Sequence, residues 1–418
     1  MSWFVSIKRN IASPFTKVQR KLFNFIYTAP QSSNSKIFYD RPINSATYKA
    51  RLAYDLHSNM QTCFVVDPIK EYPKKILFDA TIFTSSENTN IYDQNKQYII
   101  FICDADTCYE QFSEKMQELI HDYGNVICFN PPGVGKSSGN TNNITDYQKA
   151  LRSIIDNLSK HGIPHKNIVL MGHGFGAAIA LKTALHYQIQ HKRVKVFADR
   201  GYESIAGMAA TKAQNEVHEY FNNKWLRTIF GTIAYYLTYI SVKLFGLNIN
   251  ATETFTEINR INMGDAKGLV VKDDDAIPTT CDIRNGLSAN DQQFIHEFEC
   301  YREAKHNAGF RSLSPIGIPY QRSNTGAAYV NTCLDEFKNE TNYNISESWA
   351  DLAEQQKEEA PSDSTLYLYN TLNNAITYMY DSLNYFISNA TSDPDLDKYL
   401  EKLKPLRGTE GNKYVSKV

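Results

Sequence analysis

The sequence predicts an α/β fold built on a mostly parallel, doubly wound sheet, and three features support this prediction. Apolar strand-like runs alternate with helical patterns, glycine-rich turns follow two of the strands, and a long helical stretch interrupts the alternation late in the chain. Alternation at this spacing is typical of parallel strands joined by helices that cover both faces of one sheet. The strand patterns lie at 96–103, 125–130, 166–172, 192–199 and 268–275.

Helical patterns fill the intervals between the first four strands. The first covers 110–123, the second covers 144–162 after a glycine loop, and the third covers 176–190 directly after a glycine turn. The second has apolar residues on one face, as expected for a helix lying on a sheet. The third is rich in small residues, which allow close packing against the strand before it.

The chain divides into three predicted segments. Residues 1–35 form a basic amphipathic arm, and residues 36–340 form the α/β domain, in which a mostly helical stretch at about 206–261 is an inserted cap. Residues 341–418 begin with an acidic linker and continue as a Tyr-rich amphipathic helix. We interpret this last segment as a helical C-terminal extension.

Charge and cysteine content exclude several functions. The 418-residue chain has a formal net charge of −1, so no overall field favours nucleic acid. Its seven cysteines are scattered, with no C-x-x-C pair and no metal-ligand spacing. This usage favours a reducing compartment, and we predict a cytoplasmic protein in the producing cell, with no metal and no cofactor.

The N-terminal arm combines cations with apolar residues and contains no acid. Such a segment is typical of a helix lying on anionic lipid, but a helix that packs on its own domain has the same pattern. We find no signal peptide and no stretch long enough to span a membrane. Peripheral membrane contact is therefore one of two interpretations of the arm, and it would use five cations: Lys8, Arg9, Lys17, Arg20 and Lys21. A lipid or acyl ligand is a separate candidate partner.

The loop NPPGVGKSSG, residues 130–139, contains two misleading patterns. A phosphate-binding P-loop requires glycine at the position of Asn130 and a helix after Lys136, and the sequence provides neither. The loop also matches the nucleophile motif G-x-S-x-G literally, with Ser137 at its centre. A nucleophile elbow needs a sharp strand-to-helix turn, which an open polar loop does not provide, so Ser137 is only an alternative nucleophile.

The turn from Gly172 to Gly176 has the setting that an elbow requires. It reads Gly-His-Gly-Phe-Gly, with an apolar strand before it and a small-residue helix after it. In a serine hydrolase the central residue of this turn carries the attacking hydroxyl, but here the central residue is Gly174. Because glycine has no side chain, the nucleophile is missing from its expected position.

Four segments together resemble the α/β-hydrolase superfamily, in particular its lipase- and thioesterase-like members. They are the turn, the loop FNPPGVGKSSG, the segment FADRGYESIAGMA and the strand-loop LVVKDDDAIP, over roughly residues 75–310. By position, the resemblance implies that Asp274 is the acid and that His306, in the late loop KHN, is the base of a catalytic triad. The flanking Asp273 and Asp275 leave the choice of acid open, since three adjacent acids also suit a solvated turn or a weak cation site.

The resemblance also implies an oxyanion region, formed by Asp104, Ala105 and Phe175. Where the superfamily usually has His-Gly or Asn-Gly after the first central strand, this chain has Cys-Asp-Ala-Asp. Carboxylates at this point would repel the negative charge that develops during acyl transfer. Two catalytic elements therefore depart from the superfamily pattern.

These observations leave two main functions open. The first is a catalytically inactive protein of esterase or lipase lineage that binds a lipid or a protein partner. Glycine tolerates the strained backbone of an elbow, so loss of the serine would relieve on the order of 1 kcal/mol. The second is an active esterase, lipase or thioesterase whose serine has been exchanged on purpose, displaced to Ser137 or replaced by a cysteine. A metal-dependent chemistry at the aspartate-rich strand ends is a third interpretation.

General features of the chain also resemble lipase-like effector proteins of Legionella-type bacteria, such as the SidB-like group. They are the basic arm, the lack of a signal peptide, the Asn- and Lys-rich composition and the acidic C-terminal stretch. This narrower resemblance implies delivery into a host cell and peripheral association with a membrane there.

Overall fold

The computed structural model describes residue 21, residues 58–66 and 76–85 and, with short gaps, residues 92–339. The rest of the predicted arm and the whole C-terminal extension lie outside the described residues. So do Asp106 and Asp275, two of the aspartates that follow strands in the sequence.

Nine strands in the described part of the chain form one sheet. They are β1 Ser58–Val66, β2 Ile76–Ser85, β3 Tyr98–Ile102, β4 Val126–Phe129, β5 Ile168–His173, β6 Lys195–Asp199, β7 Ala266–Val271, β8 Ile295–Cys300 and β9 Leu313–Pro315. Their order in space is β1-β2-β4-β3-β5-β6-β7-β8-β9. Neighbours from β4 to β8 are parallel, and antiparallel strands lie at both edges, which confirms the mostly parallel sheet predicted from the sequence.

The central strands are apolar throughout because both of their faces are covered. In β3, Ile100 and Ile102 point into one hydrophobic core, whereas Ile99 and Phe101 point into the core on the other face. The alternation follows from the two-residue period of a strand. The sheet is therefore doubly wound, with its side chains divided between two cores.

Helices connect most of the strands, and one more helix follows the last strand. They are α1 Ile144–Lys160, α2 Phe175–Gln188, α3 Ile205–Tyr220, α4 Lys224–Leu244, α5 Ala251–Ile261, α6 Ala289–Gln292 and α7 Gly326–Asn339. Polar side chains fix several of their first turns. Asn143 accepts a hydrogen bond from the backbone nitrogen of Asp146 at 2.8 Å, and Ser204 accepts one from Gly207 at 3.1 Å. Such caps satisfy backbone donors that have no partner inside the helix.

Three helices, α3, α4 and α5, separate β6 from β7 in the stretch that the sequence marks as mostly helical. The predicted strand at 268–275 ends earlier, at Val271, because Asp273 turns the chain with a positive φ of 51°. Strands β1, β2, β8 and β9 were not predicted. In β8 the residues between Ile295 and Phe298 are polar, so its pattern does not indicate a buried strand.

Candidate active site

The turn between β5 and α2 has the backbone of a nucleophile elbow. Gly174 adopts φ 54° and ψ −119°, a region that residues with a side chain rarely occupy. Its nitrogen donates to the backbone oxygen of Asp199 on β6, and its own oxygen accepts from Ala177 in the first turn of α2. The strand-to-helix turn is therefore intact, and only the side chain at its tip is missing.

The side chain of Asp104 fills the space where that missing side chain would begin. A Cβ atom built on Gly174 would lie 2.5 Å from Asp104 Cγ and Oδ1 and 2.7 Å from Oδ2. No real Cβ atom tolerates such distances, since packed carbon atoms normally lie 3.5–4.0 Å apart. A serine at position 174 and the observed position of the Asp104 carboxylate are therefore mutually exclusive.

The same carboxylate occupies the backbone donors of the predicted oxyanion region. Phe175 and Ala105 both donate their backbone N–H groups to Asp104 Oδ1, at 2.7 and 2.8 Å. In an acyl-transfer enzyme, donors in this position stabilise the oxyanion of the substrate. Here the donors bind a permanent negative charge of the protein itself.

His306 bridges two carboxylates. Its Nε2 atom donates to Asp104 Oδ2 at 3.1 Å, and its Nδ1 atom donates to Asp274 at 3.0 Å. The side chains of His306 and Asp274 are only 5% and 4% exposed. The structure thus brings together the residues predicted as base and acid, and it places Asp274, rather than the exposed Asp273, beside the histidine.

These contacts favour a protonated histidine. Burial alone would lower the pKa of His306, but the hydrogen bonds and negative charges of Asp104 and Asp274 raise it to about 9. Burial would likewise raise the pKa of Asp104, yet the hydrogen bond and charge of His306 hold it at about 2. An imidazolium between two carboxylates uses both of its N–H donors and has no lone pair left to accept a proton.

A second buried cluster lies behind His306 and was not predicted from the sequence. The ring of His173 lies 4.5 Å from the ring of His306, centroid to centroid. His173 Nδ1 is 2.8 Å from Asp199 Oδ2, and Lys115 Nζ is 2.7 Å from the same oxygen. Arg200 donates to the backbone oxygen of His306, so the cluster also supports the loop that carries the histidine.

The charges in this cluster differ from those around His306. Burial and the adjacent Lys115 cation lower the pKa of His173 to about 4, so this ring is neutral at neutral pH. Burial and the Arg200 cation lower the pKa of Lys115 to about 8, although the Asp199 carboxylate opposes them. The nearby cations, against the effect of burial, hold the pKa of Asp199 well below its usual range.

Ser137, the alternative nucleophile, lies in a loop and not on a strand-to-helix turn like Gly174. Its side chain is buried, and its hydroxyl donates to the backbone oxygen of Asn130 at 2.6 Å. That bond closes the loop after β4 rather than presenting the hydroxyl on a strand-to-helix turn. The geometry gives Ser137 a structural role in this loop.

Within the described ranges, no group of three or more His, Cys, Asp or Glu side chains has the arrangement of a metal site. The acids that surround the elbow are already engaged by backbone N–H groups and by His306. Hydrogen bonding among protein groups accounts for the contacts described at this site.

Comparisons with known proteins give a family match and several weak structural similarities. A family model described as the alpha/beta hydrolase fold matches residues 110–198. An esterase from Pyrococcus furiosus is 13% identical, with a TM-score of 0.41, over 68% of this chain and 94% of that one. An alpha-beta hydrolase from Vibrio vulnificus is 15% identical, with a TM-score of 0.42, over 69% and 88%. No curated protein matches the sequence. Taken with the order of the strands, the family match gives the chain the α/β-hydrolase fold.

Proposed function

We propose that the chain is a catalytically silent protein of esterase or lipase lineage, which acts by binding a lipid or a protein partner instead of hydrolysing an ester. The observation that carries this proposal is the carboxylate of Asp104 in the space of the missing nucleophile. With Asp104 in this position, the site has three obstacles to acyl transfer. It has no attacking hydroxyl, its oxyanion donors are occupied, and its histidine is already protonated.

The two departures from the superfamily pattern fit each other. A simple exchange of serine for glycine would leave an empty space, whereas here Gly174 leaves room for the Asp104 side chain. An active serine enzyme could not hold Asp104 in this position, because its serine would need the same volume. This complementarity favours a site adapted to the loss of the serine over a recent inactivating exchange.

Asp104 is a poor substitute for the nucleophile. A carboxylate attacks through a lone pair, but Oδ1 already accepts from two backbone N–H groups and Oδ2 accepts from His306. Its lowered pKa, about 2, further weakens it as a nucleophile, because hydrogen bonds to the charged form stabilise that form. We therefore assign Asp104 a structural and electrostatic role.

Paired exchanges at the elbow test the proposal. Fluorophosphonate labelling and hydrolysis of a p-nitrophenyl ester are measured for the wild type, Gly174→Ser, Asp104→Ala and the double variant. We expect the wild type and both single variants to be silent, and the double variant to be labelled, because it has both the hydroxyl and the space for it. Thermal melting of each variant confirms that a silent protein is folded.

Two controls identify the residue behind any activity. His306→Ala in the double variant should abolish the new labelling, since the base would be missing. If the unmodified chain hydrolyses the ester and loses this activity with His306→Ala, the silent-site proposal is wrong. Loss with Ser137→Ala instead would assign the activity to the alternative nucleophile. The implied delivery into a host cell stays a prediction from the sequence.

A further inference from the structure

Helix α4 is an apolar helix that is buried at only two positions. Of its 21 residues, Gly231 and Val242 are buried, and the rest are partly or fully exposed. Phe230, Leu237 and Leu244 are 41%, 51% and 40% exposed. Single exposed apolar residues are ordinary, but a helix that shows several to solvent requires an explanation.

The apolar residues form one continuous stripe along α4. The spacing of its members alternates between four and three residues, which places them on one side of a helix. At about 1.5 Å per residue, the 21-residue helix and its stripe extend for roughly 30 Å. The α4 stripe consists of Leu226, Phe230, Ile233, Leu237, Ile240 and Leu244.

The opposite side of α4 is held by the protein. At Gly231 the helix approaches α3 so closely that an added Cβ would lie 2.4 Å from His218 Nε2. Val242 joins the larger hydrophobic core near the end of the helix. These contacts fix the rotation of α4 and direct the stripe away from α3, although Phe230 also stacks on Phe221.

The charged residues of α4 itself have one sign. No acid occurs between Glu219 and Glu253, while α4 carries Lys224, Arg227 and Lys243. Two of these cations lie in the first turn, where the helix dipole disfavours positive charge by a few tenths of a kcal/mol or more. Arg227 donates to the backbone oxygen of Phe221, and an anionic partner would also account for the cations at this end of α4.

We propose that α4 lies on the surface of an anionic lipid bilayer, with its stripe inserted among the acyl chains and its cations at the lipid headgroups. Apolar faces flanked by Lys and Arg are typical of interfacial helices, and each cation near an anionic surface contributes about 1 kcal/mol. Trp225 and Tyr236 on the same helix, both partly exposed, are of the aromatic types enriched at membrane interfaces.

The inferred contact is peripheral. No helix in the described ranges is long and apolar enough to cross a bilayer. A protein partner would more naturally be matched by charges of both signs beside the stripe, and α4 offers only cations. The inference does not depend on the missing nucleophile, so its test is independent of the test for the proposed loss of catalysis.

Vesicle co-sedimentation of the full chain tests the inference. Vesicles of phosphatidylcholine alone are compared with vesicles of phosphatidylcholine and phosphatidylserine. We expect binding to the anionic vesicles, and a reduction of at least about tenfold in the partition coefficient for the Phe230→Glu/Leu237→Glu variant, since charge in the acyl region is costly. The matched control is Met263→Glu, which alters an apolar residue that is 71% exposed outside α4.

A second measurement reads insertion directly. Trp225 is left as the single tryptophan by Trp3→Phe and Trp349→Phe, and its fluorescence is recorded with brominated phospholipid in the anionic vesicles. Quenching is expected if α4 enters the interface. Equal partitioning of the α4 variant and the Met263 control, without quenching, would overturn the inference. So would a dimer in solution that the α4 variant abolishes while vesicle binding is unchanged, because the stripe would then bind a second copy.

Discussion

His306 and His173, whose rings lie 4.5 Å apart, differ in charge at neutral pH, since the first is a cation and the second is neutral. His306 has a pKa raised to about 9 by the hydrogen bonds and charges of two carboxylates, against the effect of burial. Burial and the Lys115 cation lower the pKa of His173 to about 4, although His173 also contacts a carboxylate. The difference teaches that a nearby acid does not decide the charge of a buried histidine; the balance of all its charged neighbours does.

This comparison supports the proposal that the site is catalytically silent. Two carboxylates, Asp104 and Asp274, contact His306, whereas the carboxylate beside His173, Asp199, also contacts Lys115 and Arg200. Asp104 adds the second carboxylate on the His306 side. In the proposed silent site, this second carboxylate would hold His306 as a cation that cannot act as a general base.

The largest expected effect is on the pH dependence of stability. The folded pKa of His306, about 9, lies above its ordinary value of 6.5, so its stabilising contribution is complete below pH 6.5 and is lost as pH rises through about 9. By linkage this amounts to roughly 3 kcal/mol in the free energy of unfolding. Urea unfolding of the wild type and His306→Gln between pH 6 and pH 10 should show their difference shrinking. A difference that stays constant would contradict the assigned charge.

The second effect tests whether the Asp104 carboxylate raises the pKa of His306. In Asp104→Asn, one of the two carboxylates at His306 becomes neutral, so the pKa of His306 should fall by at least about one pH unit. NMR titration of the imidazole C–H signals measures this pKa. Asp335→Asn, which alters an exposed acid of α7, is the control and should leave the titration unchanged.

A third effect concerns the space at the elbow. Gly174→Ala should lower the free energy of unfolding by about 2 kcal/mol or more, through backbone strain and contact with Asp104. Gly246→Ala introduces a Cβ at a similar φ of 67° with nothing within 4 Å, so it measures the strain alone. In the Asp104→Ala background, the cost of Gly174→Ala should fall to that of Gly246→Ala. Equal costs at both positions in the wild-type background would show that the carboxylate does not occupy the space.

The smallest effect tests the other histidine. Lys115→Met removes the cation beside His173 while keeping an apolar side chain of similar length, so the pKa of His173 should rise by about one pH unit. The His173 ring stays buried in this variant, so its pKa should stay well below the pKa of His306. The same NMR titration measures it, with Lys166→Met, an exposed lysine, as the control. An unchanged pKa would mean that burial alone keeps this ring neutral.

Much of the fold and part of the site could be predicted from the sequence. The central strands were identified because they are apolar on both faces, whereas β8, with polar residues between Ile295 and Phe298, gives no such signal. Gly174 was identified from its turn, and Asp274 and His306 from the order of motifs. The strands and the turn rest on local patterns in the sequence, whereas Asp274 and His306 rest on the resemblance to the α/β-hydrolase superfamily.

The unpredicted part of the site depends on side-chain direction and on distant contacts. The segment Cys-Asp-Ala-Asp indicated acids near the oxyanion donors, but not that Asp104 would turn onto the backbone of Phe175. Lys115 lies within the helical pattern of residues 110–123, and its partner Asp199 is 84 residues away, so no local pattern connects the two. The Asp-Arg pair at the end of β6 was the signal that could have suggested a buried charge cluster there.

The outer glycines of the elbow have a consequence for how such chains are recognised. A Cβ on Gly176 would lie 2.4 Å from the backbone oxygen of Ile102, and one on Gly172 would lie 2.3 Å from that of Gly176. These two positions are therefore demanded by the seating of a helix against its sheet, whether or not any reaction takes place. Selection for folding alone would preserve these two glycines after the loss of an activity. A sequence search for catalytically silent relatives should therefore require glycine at the positions of Gly172 and Gly176 and allow any residue at the position of Gly174.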